Sequence, residues 1–269
     1  MQSAAPGGHS AGVCTLAVYF QVSRAYPLVV AANRDEFYDR AASPPLPLQD
    51  QPWVVGGRDL VAGGTWLGLN AAGLVAGLVN RRTGTAPDPT RRSRGLLCLQ
   101  ALVAPSVAAA RDDVLREPGT AYNPFNLLLA APDAACVIGN RSGTMRPTAL
   151  PSGVHLLTNL DLNDPECPRI AKSHALFAAA ARRLAQPPLA DFIAAARAIL
   201  SDHSTPLDPR ADGPPNNLCV HTDRFGTRSS TLLVFDAAAG RFRMWHADGA
   251  PCTTPYEEVD LPDRAVGQP

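Results

Sequence analysis

Short apolar runs separated by turn-forming Gly, Pro, Asn and Asp dominate the pattern of this chain. Residues 13–22 and 27–32 are two such runs with a few polar residues between them, which is typical of a β-hairpin. The same pattern predicts further strands at the following ranges: 65–70, 73–80, 125–131, 135–139, 154–159, 218–221, 229–236 and 241–246. The strands come in pairs that short turns connect, so antiparallel sheets are expected.

A helical period replaces this pattern in the middle of the chain. Ile170, His174, Phe177 and Ala181 recur at 3.6-residue spacing, which predicts an amphipathic helix over residues 165–185. Asp164 precedes it as the expected N-cap, with a proline at the first helical position. Other helices are predicted over these ranges: 94–103, 106–115 and 189–200. Grouped helices and paired strands favour an α+β fold with helices packed outside antiparallel sheets.

The remaining segments are predicted to lack regular structure. Prolines are frequent between residues 42 and 52, and residues 202–215 are polar and Pro-rich. Residues 1–13 contain mainly Gly, Ser, Ala and Pro, and predict a disordered tail, while residues 251–269 predict a loose C-terminal tail. No shift in composition divides the stretch between them, so residues 14–250 are predicted to form a single domain.

The composition excludes several classes of partner. The formal net charge of the 269 residues is zero, so nothing favours a nucleic acid or an anionic membrane surface. No apolar run reaches the ~20 residues that span a bilayer, and no secretory signal is present. The six cysteines form no CxxC pair and have no histidine at zinc-site spacing, so no metal site is predicted. A small-molecule substrate or ligand and a cytoplasmic location are therefore expected.

Several polar residues at predicted strand ends are candidates for chemistry, and each has a structural alternative. Cys14 lies within an apolar strand, where cysteines are usually buried core residues. The charged run from Asn33 to Glu36 follows a buried strand and suits either a site or a solvated turn. Asn80 and Asn159 end two other strands, where asparagine commonly bonds its own backbone in a turn.

The motifs around these residues, taken in order, resemble the NRDE family, also called the transport-and-Golgi-organisation-2 type. That family takes its name from the four residues that stand here as Asn33, Arg34, Asp35 and Glu36. The other similar motifs are Cys14-Thr15-Leu16, Gly63-Gly64-Thr65-Trp66-Leu67-Gly68, Arg94-Gly95, Tyr122-Asn123-Pro124-Phe125-Asn126-Leu127 and Gly226-Thr227-Arg228. The resemblance extends from Cys14 to about His246.

This resemblance implies the αββα sandwich of the N-terminal-nucleophile hydrolases, specifically the penicillin V acylase and bile-salt hydrolase group. Cys14 would become the first residue and attack an amide carbonyl, its own α-amine serving as the base. The resemblance implies that Arg34 and Asp35 tune the thiolate and hold the amine, although the acylase pattern has one additional residue there. It places Asn80 and Asn159 at the oxyanion, with Arg169 in the helix that follows.

The same resemblance leaves the activity open. A free α-amine at Cys14 requires that residues 1–13 are a removed leader or lie upstream of the true start. The alternative function is a non-catalytic haem or lipid carrier on the same scaffold, for which four histidines are available as axial ligands: His155, His174, His221 and His246. A binding module with an inactive site is the third hypothesis.

Overall fold

The computed structural model describes residues 14–186, 188–204 and 217–261. The predicted tail at residues 1–13, most of the predicted 202–215 loop and residues 262–269 lie outside these ranges. The strands of the described chain are β1 (Thr15–Phe20), β2 (Leu28–Phe37), β3 (Ala42–Asp50), β4 (Trp53–Asp59), β5 (Thr65–Asn70), β6 (Val75–Asn80), β7 (Phe125–Ala130), β8 (Ala135–Asn140), β9 (Met145–Ala149), β10 (Gly153–Leu157), β11 (Phe225–Asp236), β12 (Arg241–Ala247) and β13 (Glu257–Val259). The helices are α1 (Arg94–Ala101), α2 (Val107–Arg116), α3 (Pro168–Leu184) and α4 (Leu189–Leu200).

The strands form two antiparallel sheets that pack face to face between two pairs of helices. The first sheet has the order β10-β1-β2-β11-β12-β13, and the second has the order β3-β4-β5-β6-β7-β8-β9. Helices α3 and α4 cover the first sheet, and α1 and α2 cover the second. The layer order is therefore αββα, and the predicted α+β sandwich is confirmed.

The side chains of β1 point alternately to the two faces of the first sheet and show how the sequence builds these layers. Leu16 and Val18 face the second sheet and belong to the core between the sheets, whereas Ala17 and Tyr19 face α3 and α4. Tyr19 donates a hydrogen bond to the carbonyl of Phe177 in α3 at 3.0 Å. Every residue of this strand is buried, because both faces are covered. The near-continuous apolar run in the sequence is the signature of such a two-sided strand.

Two expectations about regular structure need correction. The proline-rich segment predicted to be irregular forms β3, which is tolerated because β3 is an edge strand, where proline's missing N–H breaks few ladder bonds. Its pairing with β4 shifts register twice. Helix α3 begins at Pro168 with Cys167 as N-cap, three residues later than predicted. Asp164 instead accepts a hydrogen bond from the amide of Glu166.

The C-terminal part of the chain is also more ordered than its sequence predicts. The segment 251–261, expected to be loose, contributes β13, which pairs with β12 at the sheet edge. The predicted strand at 218–221 is wrong, since only His221 makes an isolated bridge, to Gly226. The strand predicted to start at residue 229 starts at Phe225 and forms β11.

Three buried asparagines fasten loops to the layers. The side-chain amide of Asn33 donates to the carbonyls of Leu200 and Leu218, both at 2.8 Å. Asn70 donates in the same way to Leu102 and Ala104, and Asn126 to Thr158 and Leu160. Each amide thus bridges two carbonyls that are distant in sequence, and Asn70 in addition accepts a hydrogen bond from the Leu74 amide in its own turn.

No helix in the described part of the chain combines the length and the apolar character that a membrane span requires.

Candidate functional site

Cys14 lies directly before β1, between the ends of two neighbouring strands. Thr15 pairs with Asn33 of β2, and Leu16 pairs with Leu157 of β10. Continuing the two antiparallel registers to Cys14 places Arg34 on one side and Asn159 on the other. The first sheet therefore brings three of the candidate residues together at one end of β1.

The run from Asn33 to Glu36, for which the sequence left a site or a solvated turn open, forms the second half of β2. The strand predicted to end at residue 32 continues to Phe37. Because side chains alternate along a strand, Arg34 and Asp35 point to opposite faces of the sheet. Arg34 faces the second sheet, where its guanidinium lies 4.0 Å from the carboxylate of Asp59 in β4. Asp35 faces the helical layer with α3.

The carboxylate of Asp35 is buried and only partly satisfied. Its Oδ1 accepts a hydrogen bond of 2.6 Å from the hydroxyl of Thr227 in β11. Its Oδ2 has no hydrogen-bond partner among the described residues. Burial raises the pKa of Asp35 to about 7, although the Thr227 hydroxyl and the positive charges of Arg169 and Arg34 oppose the shift. A positively charged donor at Oδ2 would restore the ionised form.

Arg169 comes to this region from the first turn of α3. It is 3% exposed, and its Nη2 donates to the hydroxyl of Thr15 at 2.8 Å. Its Nε is buried without a hydrogen-bond partner in the described ranges. A buried guanidinium beside a buried carboxylate lowers the cost of keeping either group charged. Arg169 thus lies within electrostatic reach of Asp35 and Cys14.

The thiol of Cys14 is not activated in the chain in which it follows Val13. Its Sγ accepts a hydrogen bond from the amide of Asp35 at 3.4 Å. Burial, followed by the negative charge of Asp35, raises the pKa of Cys14 to about 12. The positive charge of Arg34 lowers the thiol pKa, but burial and the charge of Asp35 outweigh this effect. The implied tuning of the thiolate by Arg34 and Asp35 therefore does not lower the thiol pKa below its ordinary value in this form of the chain.

Asn80 approaches the same end of the fold from the second sheet. Sheet two contacts β1 at Gly77, where an added Cβ would lie 2.4 Å from a methyl group of Leu16. Asn80 ends this strand three residues later, and its side chain makes no hydrogen bond to any residue described here. The next segment bonds to the first sheet, since the amide of Arg82 donates to the carbonyl of Asn159 at 2.9 Å.

Glu36 belongs to a surface ion network, not to the buried cluster. Its carboxylate lies 3.8 Å from Arg40, which contacts Asp59 at 2.8 Å. Asp59 in turn faces Arg34. The network connects the motif to β4 and holds Arg34 from its outer side.

A crevice between the two sheets opens beside Arg34. Its cavity volume is about 30 Å³, and Cys14 is not among its lining residues. The second-sheet wall includes Asp59 and Trp66, and the first-sheet wall includes Arg228 and His246. Arg34, the neighbour of Cys14 in the continued β1–β2 register, therefore lines one wall of this crevice.

Three of the histidines considered as haem ligands occupy different settings. His155 is buried and bonds the carbonyl of Pro151, and His174 bonds the carbonyl of Val154. His246 bonds the hydroxyl of Thr231 through Nδ1, while its Nε2 is buried with no partner within the described chain. Burial lowers the pKa of His246 to about 4, so its imidazole is neutral at pH 7.

Two residues that sequence reasoning did not select belong to this site. Thr227 binds Asp35 from the next strand, and its only signal was its place in Gly226-Thr227-Arg228. Arg94 at the start of α1 lies within electrostatic reach of Cys14; burial, with the charge of Arg40, lowers its pKa to about 10. Thr227 fixes the orientation of the carboxylate, whereas Arg94 adds positive potential near the thiol.

A second group of chemically capable side chains lies at the surface beyond Asp35 and Thr227. Donor atoms of His203, Cys219, His221 and Cys252 all lie within 4.8 Å of one another. Sequence spacing gave no indication of this group, except that Cys219 and His221 are two residues apart.

Solved structures share this architecture. A Caenorhabditis elegans N-acylethanolamine-hydrolyzing acid amidase ortholog aligns with a TM-score of 0.54 at 16% identity, over 94% of this chain and 95% of that one. A variant of conjugated bile acid hydrolase from Clostridium perfringens aligns with a TM-score of 0.55 at 11% identity, over 93% and 97%. At these identities the similarity establishes the fold.

Similarity in sequence is closer to another group. The Bos taurus Transport and Golgi organization protein 2 homolog is 32% identical over 235 residues, covering 79% of this chain and 83% of that protein. The Homo sapiens homolog is 30% identical over 233 residues with the same coverage. The family model described as Transport and Golgi organisation 2 matches residues 13–245. The chain therefore belongs to the Transport and Golgi organisation 2 family, built on the fold of the amidase and bile acid hydrolase structures.

Proposed function

We propose that the protein is an N-terminal-cysteine hydrolase that acts on a small amide, with Cys14 as the nucleophile. The observation that supports this most is the placement of Cys14 between Arg34 and Asn159, beside a buried carboxylate with one unpaired oxygen. A core cysteine needs neither the charges nor the half-satisfied Asp35. The fold shared with the two hydrolase structures adds support by analogy.

In the proposed reaction, Cys14 is the first residue and its α-amine accepts the thiol proton. The resulting ammonium donates to Oδ2 of Asp35, which supplies the missing partner of that oxygen. The thiolate attacks the amide carbonyl, and the side-chain amides of Asn80 and Asn159 stabilise the oxyanion. The C–N bond breaks as the amine leaves with a proton, and water then hydrolyses the thioester to release the acid.

The proposed mechanism requires that the peptide bond to Val13 is absent. With a thiol pKa of about 12, the thiolate fraction at pH 7 is only ~10⁻⁵. A free α-amine next to the thiol acts as its base and, once protonated, as a positive charge. Both effects lower the thiol pKa and raise the thiolate fraction. The family match begins at Val13, which agrees with a functional unit starting at this point.

The test compares the full chain with a form that begins at Cys14, produced by methionine removal and confirmed by intact mass. At pH 7, iodoacetamide should label Cys14 at least ~100-fold faster in the shorter form, because even a two-unit fall in pKa has that effect. Buried Cys98 serves as the internal control and should remain unlabelled in both forms.

Hydrolysis is then measured on a panel of short N-acyl amides. The Cys14 form should release amine, and its Cys14→Ala variant should not. Equal labelling of the two forms, or amine release that persists in Cys14→Ala, would contradict the proposal.

A second candidate is a non-catalytic carrier on the same scaffold. It is favoured by His246, which lines the inter-sheet crevice and whose neutral Nε2 has no hydrogen-bond partner in the described chain. This nitrogen would be the axial ligand to the iron if haem bound there. The relatives are named for transport and Golgi organization, which agrees with a carrier. Protein purified from cells, or mixed with haem, should then show a Soret band that His246→Ala abolishes and His174→Ala retains.

We also propose a cytoplasmic location and a small-molecule partner. None of the six cysteines, each within the described ranges, forms a disulfide, which favours a reducing compartment.

A further inference from the structure

Four side chains with metal-binding atoms meet on the side of α4 and β11 away from the crevice. The Sγ atoms of Cys219 and Cys252 are 3.6 Å apart. Nε2 of His221 lies 3.5 Å from the first sulfur and 3.2 Å from the second. The ring of His203 is next to that of His221, with centroids 5.2 Å apart.

These separations match a tetrahedral zinc site. With Zn–S near ~2.3 Å and Zn–N near ~2.0 Å, tetrahedral geometry separates two sulfurs by ~3.8 Å and a sulfur from a nitrogen by ~3.5 Å. The observed sulfur–sulfur distance is 3.6 Å and the nearer imidazole distances are 3.2 and 3.5 Å. The separations that involve His203 reach up to 4.8 Å, so this exposed imidazole must move closer to complete the tetrahedron.

The surroundings also suit a metal ligand set. Nδ1 of His203 is 3.1 Å from the carbonyl of Cys219, which selects the tautomer with Nε2 free as a ligand. Cys219 is buried and Cys252 half-buried, whereas both histidines are exposed. A metal ion can therefore enter from solvent, and the thiolates are shielded behind it.

We propose that His203, Cys219, His221 and Cys252 form a structural Zn²⁺ site. Two thiolates and two imidazoles are a donor set that selects zinc over calcium or magnesium, and four protein ligands leave no open position for catalysis. The site connects three segments that lie outside the long helices and strands: the residues after α4, the residues before β11 and the residues after β12.

The expected role follows from the residue between two ligands. Val220 separates Cys219 from His221, and its amide donates to the Thr227 hydroxyl at 2.9 Å. Its carbonyl accepts from the Thr227 amide at 2.9 Å. Because the same hydroxyl binds Asp35, zinc at this site holds the segment that orients the buried carboxylate.

The experiment measures metals in the full chain, expressed without a histidine tag under reducing conditions with zinc present. Elemental analysis should find about one zinc per chain, and His203→Ala with His221→Ala should reduce it below ~0.1. The exposed histidines make these variants tolerable to the fold. His174→Ala is the matched control and should keep its zinc.

Replacement of zinc by Co²⁺ in the unmutated chain gives an independent measurement. Bound cobalt should show thiolate charge-transfer absorption and the intense visible bands of a tetrahedral site, and both should disappear in Cys252→Ser. Chelation should lower the Tm of the unmutated chain but not that of the double histidine variant. A metal-free chain, a Cys219–Cys252 disulfide in its intact mass, or zinc retained by the double variant would overturn the proposal.

Discussion

Replacing Asp35 by asparagine in the full chain tests whether the buried carboxylate destabilises the folded protein. Asn keeps the shape and can still accept the hydrogen bond from Thr227, but it has no charge to bury. The pKa of Asp35 is about 7 in the fold, against 3.8 for an unperturbed Asp. The folded state therefore holds a proton that the unfolded state releases between pH 4 and pH 7.

The sign and size of the effect follow from this difference. Since the folded state binds more protons in that window, the contribution of Asp35 to stability falls as pH rises from about 4 to 7. Three pKa units correspond to about 4 kcal/mol, as an upper estimate. Asp35→Asn has no carboxyl group to titrate at this position. The difference in unfolding free energy between the variant and the parent should therefore rise from pH 4 to pH 7 and stay constant above pH 7.

Urea unfolding of both chains at pH 4, 5, 6, 7 and 8 measures the difference directly. Other titrating groups cancel in the comparison, and Asp133→Asn, an exposed carboxylate in the β7–β8 turn, serves as control and should show no such trend. A difference between parent and Asp35→Asn that is the same at pH 4 and pH 8 would refute the reasoning. In the form beginning at Cys14 the difference should shrink, because the α-ammonium pairs with Asp35.

Two further substitutions test neighbouring contacts. Thr227→Val removes the hydroxyl that bridges Asp35 and the Val220 amide, and should cost about 2–3 kcal/mol in urea unfolding; a cost near zero would show that the bridge is dispensable. Gly64→Ala would place a Cβ 2.1 Å from the backbone of Gly95, at the start of α1, and should lower Tm by several degrees. Gly139→Ala, with its nearest contact at 3.7 Å, is the control and should change Tm less.

Local pattern was sufficient to predict most of the sandwich. The strands β1, β5, β6, β7 and β8 are apolar runs between turn residues, and they lie close to their predicted positions. The polar half of β2 was missed because its partners come mainly from β11, almost 200 residues away in sequence, and beyond Asn33 this pairing alone makes a strand of Arg34 to Glu36. Edge strand β3 was missed because its prolines suit an edge but no interior position.

The site was less accessible to sequence than the fold. Resemblance to a family selected Cys14, Arg34, Asp35 and Asn159, since nothing in their local pattern distinguishes them from core or turn residues. The proposed zinc ligands carry no spacing signal because three separate segments contribute them. Their proximity is a property of the topology, which brings the end of α4 against the C-terminal segment.

The three loop-fastening asparagines restrict how this sequence can vary. Each side-chain amide donates its two N–H groups to two backbone carbonyls at 2.7–2.9 Å. Aspartate has the same shape but would point a negative charge at both carbonyls, glutamine is one methylene too long, and leucine leaves both acceptors buried and unbonded. Neighbouring leucines can exchange with methionine or isoleucine at small cost. Asn33, Asn70 and Asn126 therefore have fewer acceptable replacements than the hydrophobic core around them.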